Sequence, residues 1–361
     1  MKTILLIITS LLIFQIDEVK IQNLNQMDFS DDGKIMVGIN EDAIYLIDTE
    51  RLKILDKYEF DGRYSSNPNI RISGNGKHLI CARGWKFYYA KIRGNKIKTP
   101  TELLNRVWLD MEINYDGTEF IATLDQKSSP RRCSPGKRQV VKFWRNDDTF
   151  EWDTLLPNME DCHFSSYGEI LPQGGIIYEF DDGNSEYPHP TIFEAIPDGK
   201  HDWGHIAIYN QGDRLAHQPM TENGAFLTYS MEADNGFCGL YLTEKDTNGY
   251  WQKSPNILPR NKDCQGPWFP VISPDGMKIA WLRYNRDERG QLLKGDIMIT
   301  HRQYNNEWST PTILIENYGI AAEGKQIKSM RISNTNLAFA LWNGQTYLCT
   351  SLDGDGTLNQ F

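Results

Sequence analysis

The chain has no C-x-x-C pair among its six cysteines, no N-x-[ST] sequon and no G-x-S-x-G elbow. The first absence removes zinc ribbons and thioredoxin-type motifs. The second leaves no acceptor for N-glycosylation. The third removes the serine hydrolase elbow that a peptidase reading needs. Positive charge is also short, with 38 basic against 48 acidic side chains and a formal net charge of −10. A general nucleic-acid binder needs clustered positive charge to displace counterions, and a polybasic membrane-surface protein needs it too. Helical periodicity is scarce, and PTELLNRV at 100–107 is the one modest candidate for a turn of helix.

Long hydrophobic runs are missing as well. The longest, ILLIITSLLIF at 4–14, stands behind Lys2. As a helix it spans about 16 Å, against about 30 Å for a bilayer core. It fits the apolar core of a secretory signal peptide. The following Phe14-Gln15-Ile16-Asp17 lacks the small residues of a cleavage site, so a buried first strand or an uncleaved anchor stays open. On this reading residues 1–16 are a signal peptide or N-terminal anchor. Residues 17–361 are one secreted or periplasmic domain with no membrane span, expected to be monomeric. Six cysteines permit disulfides in an exported chain, but Cys81 and Cys349 lie in apolar strand-like runs and read as buried thiols.

What is present is a repeat. FSDDGKIMV at 29–37 recurs as ISGNGKHLI at 72–80, INYDGTEFI at 113–121, FSSYGEIL at 164–171, MTENGAFL at 220–227, ISPDGMKIA at 272–280 and ISNTNLAFA at 332–340. The turn positions are Gly33, Gly76, Gly117, Gly168, Gly224, Gly276 and Asn336. Asp-Gly and Asn-Gly reach positive φ without strain, which tight hairpins require. Each copy therefore predicts an inner strand, a turn and a second strand. A third strand follows, such as DAIYLID or GDIMITHR, and then an outer strand that opens with Trp152, Trp203, Trp251 or Trp308 in four copies.

A four-stranded unit of this size cannot bury both faces alone, but seven packed around an axis can. The expected fold is all-β: a seven-bladed β-propeller of four-stranded antiparallel blades. The last copy is short, so EVKIQNL at 18–24 is expected to supply its outer strand and close the ring. The run SPDGMKIAW at 273–281, followed by DIMITHRQYNNEWSTP at 296–311, resembles the repeat of TolB-like, WD-repeat-like β-propellers. That resemblance implies protein-binding modules, peptidase gating domains or polysaccharide lyases.

Counting back seven from each turn residue reaches the start of the inner strand, at the channel mouth opposite the inner turns. The residues there are Gln26, Asn69, Asp110, Asp161, His217, Phe269 and Ser329. Convergent polar groups at a mouth make a candidate ligand site, although this position is also simply solvated in any propeller. Two acids with an imidazole, Asp110, Asp161 and His217, could hold a cation. The pair His201 and His205 falls in an extended segment, where residues four apart lie about 13 Å from each other, too far for one zinc ion. FDDGNSE at 180–186 and LDGDGT at 352–357 read as solvated turns, and SSPRRCSPGKR at 128–138 as a long surface loop between strands.

No catalytic constellation and no cofactor motif is evident. The expected function is an exported binding module for a protein or glycan on one face, where aromatic loops such as CQGPWFP at 264–270 suit the contact. The alternative is a polysaccharide lyase or glycoside-active enzyme with acid/base or metal-binding groups at the mouth.

Overall fold

A computed structural model describes residues 24–62, 68–105, 107–126, 137–147, 149–155, 164–171, 174–181, 191–199, 202–209, 213–215, 224–231, 238–253, 258–261, 268–286, 292–316, 327–350, 352 and 357–360. These form seven antiparallel units, here called blades one to seven. The inner strands are Gln26–Phe29, Asn69–Ile72, Val107–Ile113, Phe164–Ile170, Asp213–Leu215, Trp268–Ile272 and Ile327–Ile332. In blade one the strand order is Gln26–Phe29, Ile35–Ile39, Ala43–Asp48 and Lys53–Glu59, and the other blades follow the same meander. Blades three and four are joined in one sheet by a single parallel pairing of Arg138 with Phe164.

Strand alternation makes each blade apolar on both sides. Seven hydrophobic clusters result, each bridging two successive blades. Val37, Ile39 and Ile44 of blade one meet Ile70, Ile72 and Leu79 of blade two. On the other face of blade one, Met27, Phe29 and Met36 meet Ala338, Ala340 and Leu348 of blade seven. The remaining five clusters join blades two to three, three to four, four to five, five to six and six to seven. The first and last blades thus pack on each other, and the ring closes through burial of apolar surface.

The turns obey the chemistry of their sequence. In blade one the Ser30 hydroxyl donates to Asp32 Oδ1 at 2.7 Å and accepts from the Ile35 amide at 3.1 Å, while Gly33 sits at φ +70°. Blades two and six repeat this with Ser73–Asn75 and Ser273–Asp275. Neighbouring turns are tied together: the Asp31 amide donates to Gly74 O, the Asn75 amide to Tyr115 O, and the Asn334 amide to Asp31 O.

Three expectations are corrected. Residues 101–105 form the strand Thr101–Asn105, paired with Lys86–Arg93, where a helical turn was expected at 100–107. Blade four turns at Leu171–Gly174, with Gly174 at φ +86°, whereas Gly168 lies inside the inner strand beside a bulge. The Asp-free FSSYG segment is the strand itself. Third, the last copy has an outer strand of its own, Thr357–Gln360, paired with Thr346–Thr350, where it was expected to lack one; residues 18–23, expected to supply it, lie outside the described residues. Of that N-terminal segment only Leu24 is described; it is buried against Gly38 and the blade-seven cluster. Cys81 and Cys349 are buried free thiols, and burial pushes the Cys81 thiol up to about 12.

Candidate functional site

Period-two alternation also decides what lines the axis. Where the inner strand buries its odd residues against the preceding blade, the residue between them faces the following blade near the channel. In blade one Met27 and Phe29 are buried toward blade seven, and Asp28 lies between them. In blade two Ile70 and Ile72 flank Arg71; in blade three Met111 and Ile113 flank Glu112; in blade seven Met330 and Ile332 flank Arg331. The same register in blade four places Glu169, and in blade six Val271. All five charged side chains are buried.

They form a network across blades. Arg71 Nε donates to Glu112 Oε2 at 3.3 Å, and its Nη1 donates to Ile70 O at 2.9 Å and Asn69 Oδ1 at 3.1 Å. Arg331 Nε lies 3.8 Å from Asp28 Oδ1, and its Nη1 donates to Met330 O at 3.0 Å. The other oxygen of Asp28 accepts from the Ile72 amide at 3.0 Å. Burial raises Asp28 and Glu112 above the usual carboxylate range, because desolvation outweighs the guanidinium partners. Glu169 is pushed well above it, first by burial and then by the charge of Glu112. Burial, and then repulsion from Arg71, lowers Arg331 to about 10.

Of the mouth residues expected from sequence, Asn69 and Ser329 stand beside this network. Gln26, Asn69, Asp110, Phe269 and Ser329 fall in inner strands, as the register count required. Asn69 and Ser329 are buried, one strand repeat from Arg71 and Arg331 on the same faces. Phe269 is 38% exposed at φ +50°, beside a bulge in its strand. Asp161 and His217 lie outside the described residues, and so does His201. Because the blade-four turn is at Gly174, the register position there is residue 167, six along from Asp161. Among the described residues no group of three or more His, Cys, Asp or Glu is placed to hold a metal ion. His205 instead accompanies Tyr178, Nδ1 to OH at 3.0 Å.

The axial ring itself escaped the sequence reading. Its signal was present as a charge between two apolar residues in MDF, IRI, MEI and MRI, two positions before each turn begins.

The two ends of the ring differ. Inner turns occupy five residues between Phe29 and Ile35, Ile72 and His78, Ile113 and Glu119, Ile170 and Ile176, and Ile272 and Lys278. On the opposite face, links between second and third strands run from two residues (Arg83 to Lys86) to ten (Gln126 to Lys137). Variation in a rigid scaffold's loops is where recognition resides. Trp85 and Trp342, in two of these links, are 52% and 57% exposed, and Phe269 starts an inner strand on the same face. Lys328 Nζ stands 5.0 Å from the Trp342 ring and donates to Asn25 Oδ1 at 2.6 Å, fixing that corner.

Solved structures resemble this architecture over most of its length. The β-propeller domain of Cps50 (Swd1) from Myceliophteria thermophila matches at TM-score 0.58, with 12% identity over 95% of this chain and 98% of that one. The chain is folded as a β-propeller. The WD40 repeats of RRP9 match at 0.54, with 12% identity over 89% of this chain and 88% of that one. A TolB-type protein from Agrobacterium tumefaciens, 14% identical over 86% of this chain and 93% of that one, reaches 0.46. The β-propeller fold expected from the repeat agrees with the first two of these. No family model matches the chain, and no curated protein matches it. No helix among the described residues is long and apolar enough to cross a membrane.

Proposed function

We propose that the chain is an exported, non-catalytic binding module that takes a protein ligand on the face opposite its inner turns. The observation that carries this reading is the exposure of Trp85, Trp342 and Phe269 on that one face. Large rings with a polar rim supply most of the energy at recognition surfaces, because they bury much area at little conformational cost. The axial acids do not compete as a catalytic site in this reading. Asp28 and Glu112 are buried and face guanidinium groups, which suits a structural axle more than proton transfer to a substrate. The apolar run behind Lys2 is what supports export in this reading.

The labelled full-length chain is screened on a peptide array and on a glycan array. The proposal expects peptide binding that falls at least tenfold in the Trp85→Ala/Trp342→Ala variant, with an unchanged melting midpoint. Binding only to the glycan array replaces the protein ligand with a sugar. Binding that survives the double substitution moves the site off this face.

A further inference from the structure

The outer strands form the rim of the ring, and in most blades they are guarded against pairing with another chain. A sheet edge carries a row of backbone donors and acceptors, and charge, proline or shortness keeps foreign strands off it. Lys53–Glu59, Thr101–Asn105 and Thr149–Thr154 carry Asp56, Glu102 and Glu151. Blade five has Trp251–Lys253, ending on a lysine, and Leu258–Asn261, with Pro259 and Arg260. Thr312–Ile315 and Thr357–Gln360 are only four residues long. The exception is Trp203–Tyr209 of blade four. Its sequence WGHIAIY runs for seven residues without Lys, Arg, Asp, Glu or Pro. Burial lowers His205 below its ordinary value, so the strand is uncharged near neutral pH. Among the described residues this strand ends its sheet, with Thr191–Pro197 on one side and no strand on the other.

Register fixes what the edge presents. The Asp198 amide donates to the Asp202 carbonyl at 2.8 Å, so residues 202, 204 and 206 turn their backbone groups inward, to the neighbouring strand. Residues 203, 205 and 207 turn theirs outward, and beyond 207 the register shifts. Side chains alternate between the two faces of the sheet. Trp203 and His205 lie with Tyr178 and the cluster of blades three and four. Gly204 and Ile206 lie on the other face. Ile206 is 50% exposed there, and a Cβ on Gly204 would approach the Ile196 carbonyl oxygen only to 3.9 Å.

We propose that two copies of this chain pair antiparallel through residues 203–207 of blade four, about a two-fold axis at His205. The strand is complementary to itself in that register, as an isologous contact requires. Residue 203 of each copy opposes 207 of the other, and 205 opposes 205, so every outward amide and carbonyl finds a partner. Gly204 of one copy then stands opposite Ile206 of the other, in the closer, non-hydrogen-bonded kind of pair. The small residue leaves room for the large one, and the match is reciprocal. Centring on Ile206 instead would set residue 203 against 209, across the register shift. A five-residue edge is small beside the about 1,200 Å² of a standard interface, so this dimer exchanges with the monomer expected from sequence. The rim is separate from the face of Trp85 and Trp342, and the pairing does not depend on the ligand proposed there.

Sedimentation velocity of the full-length chain from about 1 to about 500 µM reads the equilibrium directly. The average mass rises from monomer toward dimer. Ile206→Lys weakens association about tenfold or more at an unchanged melting midpoint, because the two-fold axis brings the new charge to the shared edge twice. Ile313→Lys, at a 45% exposed position on the short outer strand of blade six, associates as the parent does. Amide exchange at residues 203–207 slows over the same concentrations, and that at 312–315 does not. Copies of net charge −10 repel each other, so association strengthens as sodium chloride rises from about 20 to about 200 mM. A chain that stays monomeric throughout overturns the proposal. So does association that Ile206→Lys leaves intact, that Ile313→Lys weakens equally, or that salt weakens. If Ile206→Lys fails to fold, Gly204→Lys places the same charge on the same edge, and undiminished association in that variant overturns the proposal equally.

Discussion

Arg71 shows how one side chain can tie two blades together. It is buried, pairs with Glu112 of the next blade and caps the Ile70 carbonyl of its own. Removing it leaves Glu112 as a buried charge without its main partner. Arg71→Ala should therefore cost about 3–5 kcal/mol, read as a shift of the urea midpoint at constant slope; a change below about 1 kcal/mol would mean that water already reaches the pair. His78 gives the molecule an acid limb. Its Nδ1 lies 2.7 Å from Tyr89 OH, and burial followed by the charge of Arg145 lowers it to about 4. The unfolded side chain titrates near its ordinary value of about 6.5. Protonation thus favours the unfolded state: this contribution is whole above about pH 6.5 and is lost as pH falls toward 4. The ring is half exposed, so solvent weakens the effect. Unfolding curves from pH 7 downward should flatten in His78→Gln relative to the parent.

At the scale of the element, the inner turn is the repeating device. Gly33 reaches φ +70°, and a Cβ there would strike Ser333 Oγ and Thr335 Oγ1 of blade seven. Its carbonyl also accepts from Thr49 Oγ1 at 2.5 Å and from Asn336 Nδ2 at 2.8 Å. Gly62 has φ +77° but open space around it. Gly62→Ala should show only the backbone cost of about 1 kcal/mol. Gly33→Ala should exceed it by at least another kcal/mol, because blade seven must give way as well; equal costs in denaturant melts would show that the two turns are not in contact. These turns were the legible part of the sequence. Asp-Gly and Asn-Gly after a small polar residue mark the same hydrogen-bonded loop in blades one, two, three and six. Blade four was misread because FSSYG imitates the pattern while its true turn, closed by the Gly174 amide on the Leu171 carbonyl, opens on leucine in place of serine. Residues 101–105 were misread for a related reason: Leu103 and Leu104 are packed against the cluster of blades two and three, and tertiary burial overrides a local helical preference. Counting placed Gln26, Asn69, Asp110, Phe269 and Ser329 on inner strands, but it did not find the axial charges, since a lone charge between apolar neighbours reads as an ordinary alternating strand.

At the scale of the molecule, seven interblade cores share the work of folding, and the last of them joins residues more than 300 positions apart. Closure rests on the cluster of Met27, Phe29 and Leu24 with Ala338, Ala340 and Leu348. Polar ties reinforce it: Lys328 to Asn25, Asn336 to Gly33, and Arg331 to Asp28. A closed ring holds the loops of one face in fixed relation, which is what a binding surface built from several blades needs. The most direct test is a double-mutant cycle on Asp28→Asn and Arg331→Gln, with stability read from urea unfolding. A closed ring whose first and last blades share a buried ion pair predicts a coupling of about 1–3 kcal/mol between these two distant positions. Strictly additive losses would contradict it, and would mean that blades one and seven do not meet at the axis.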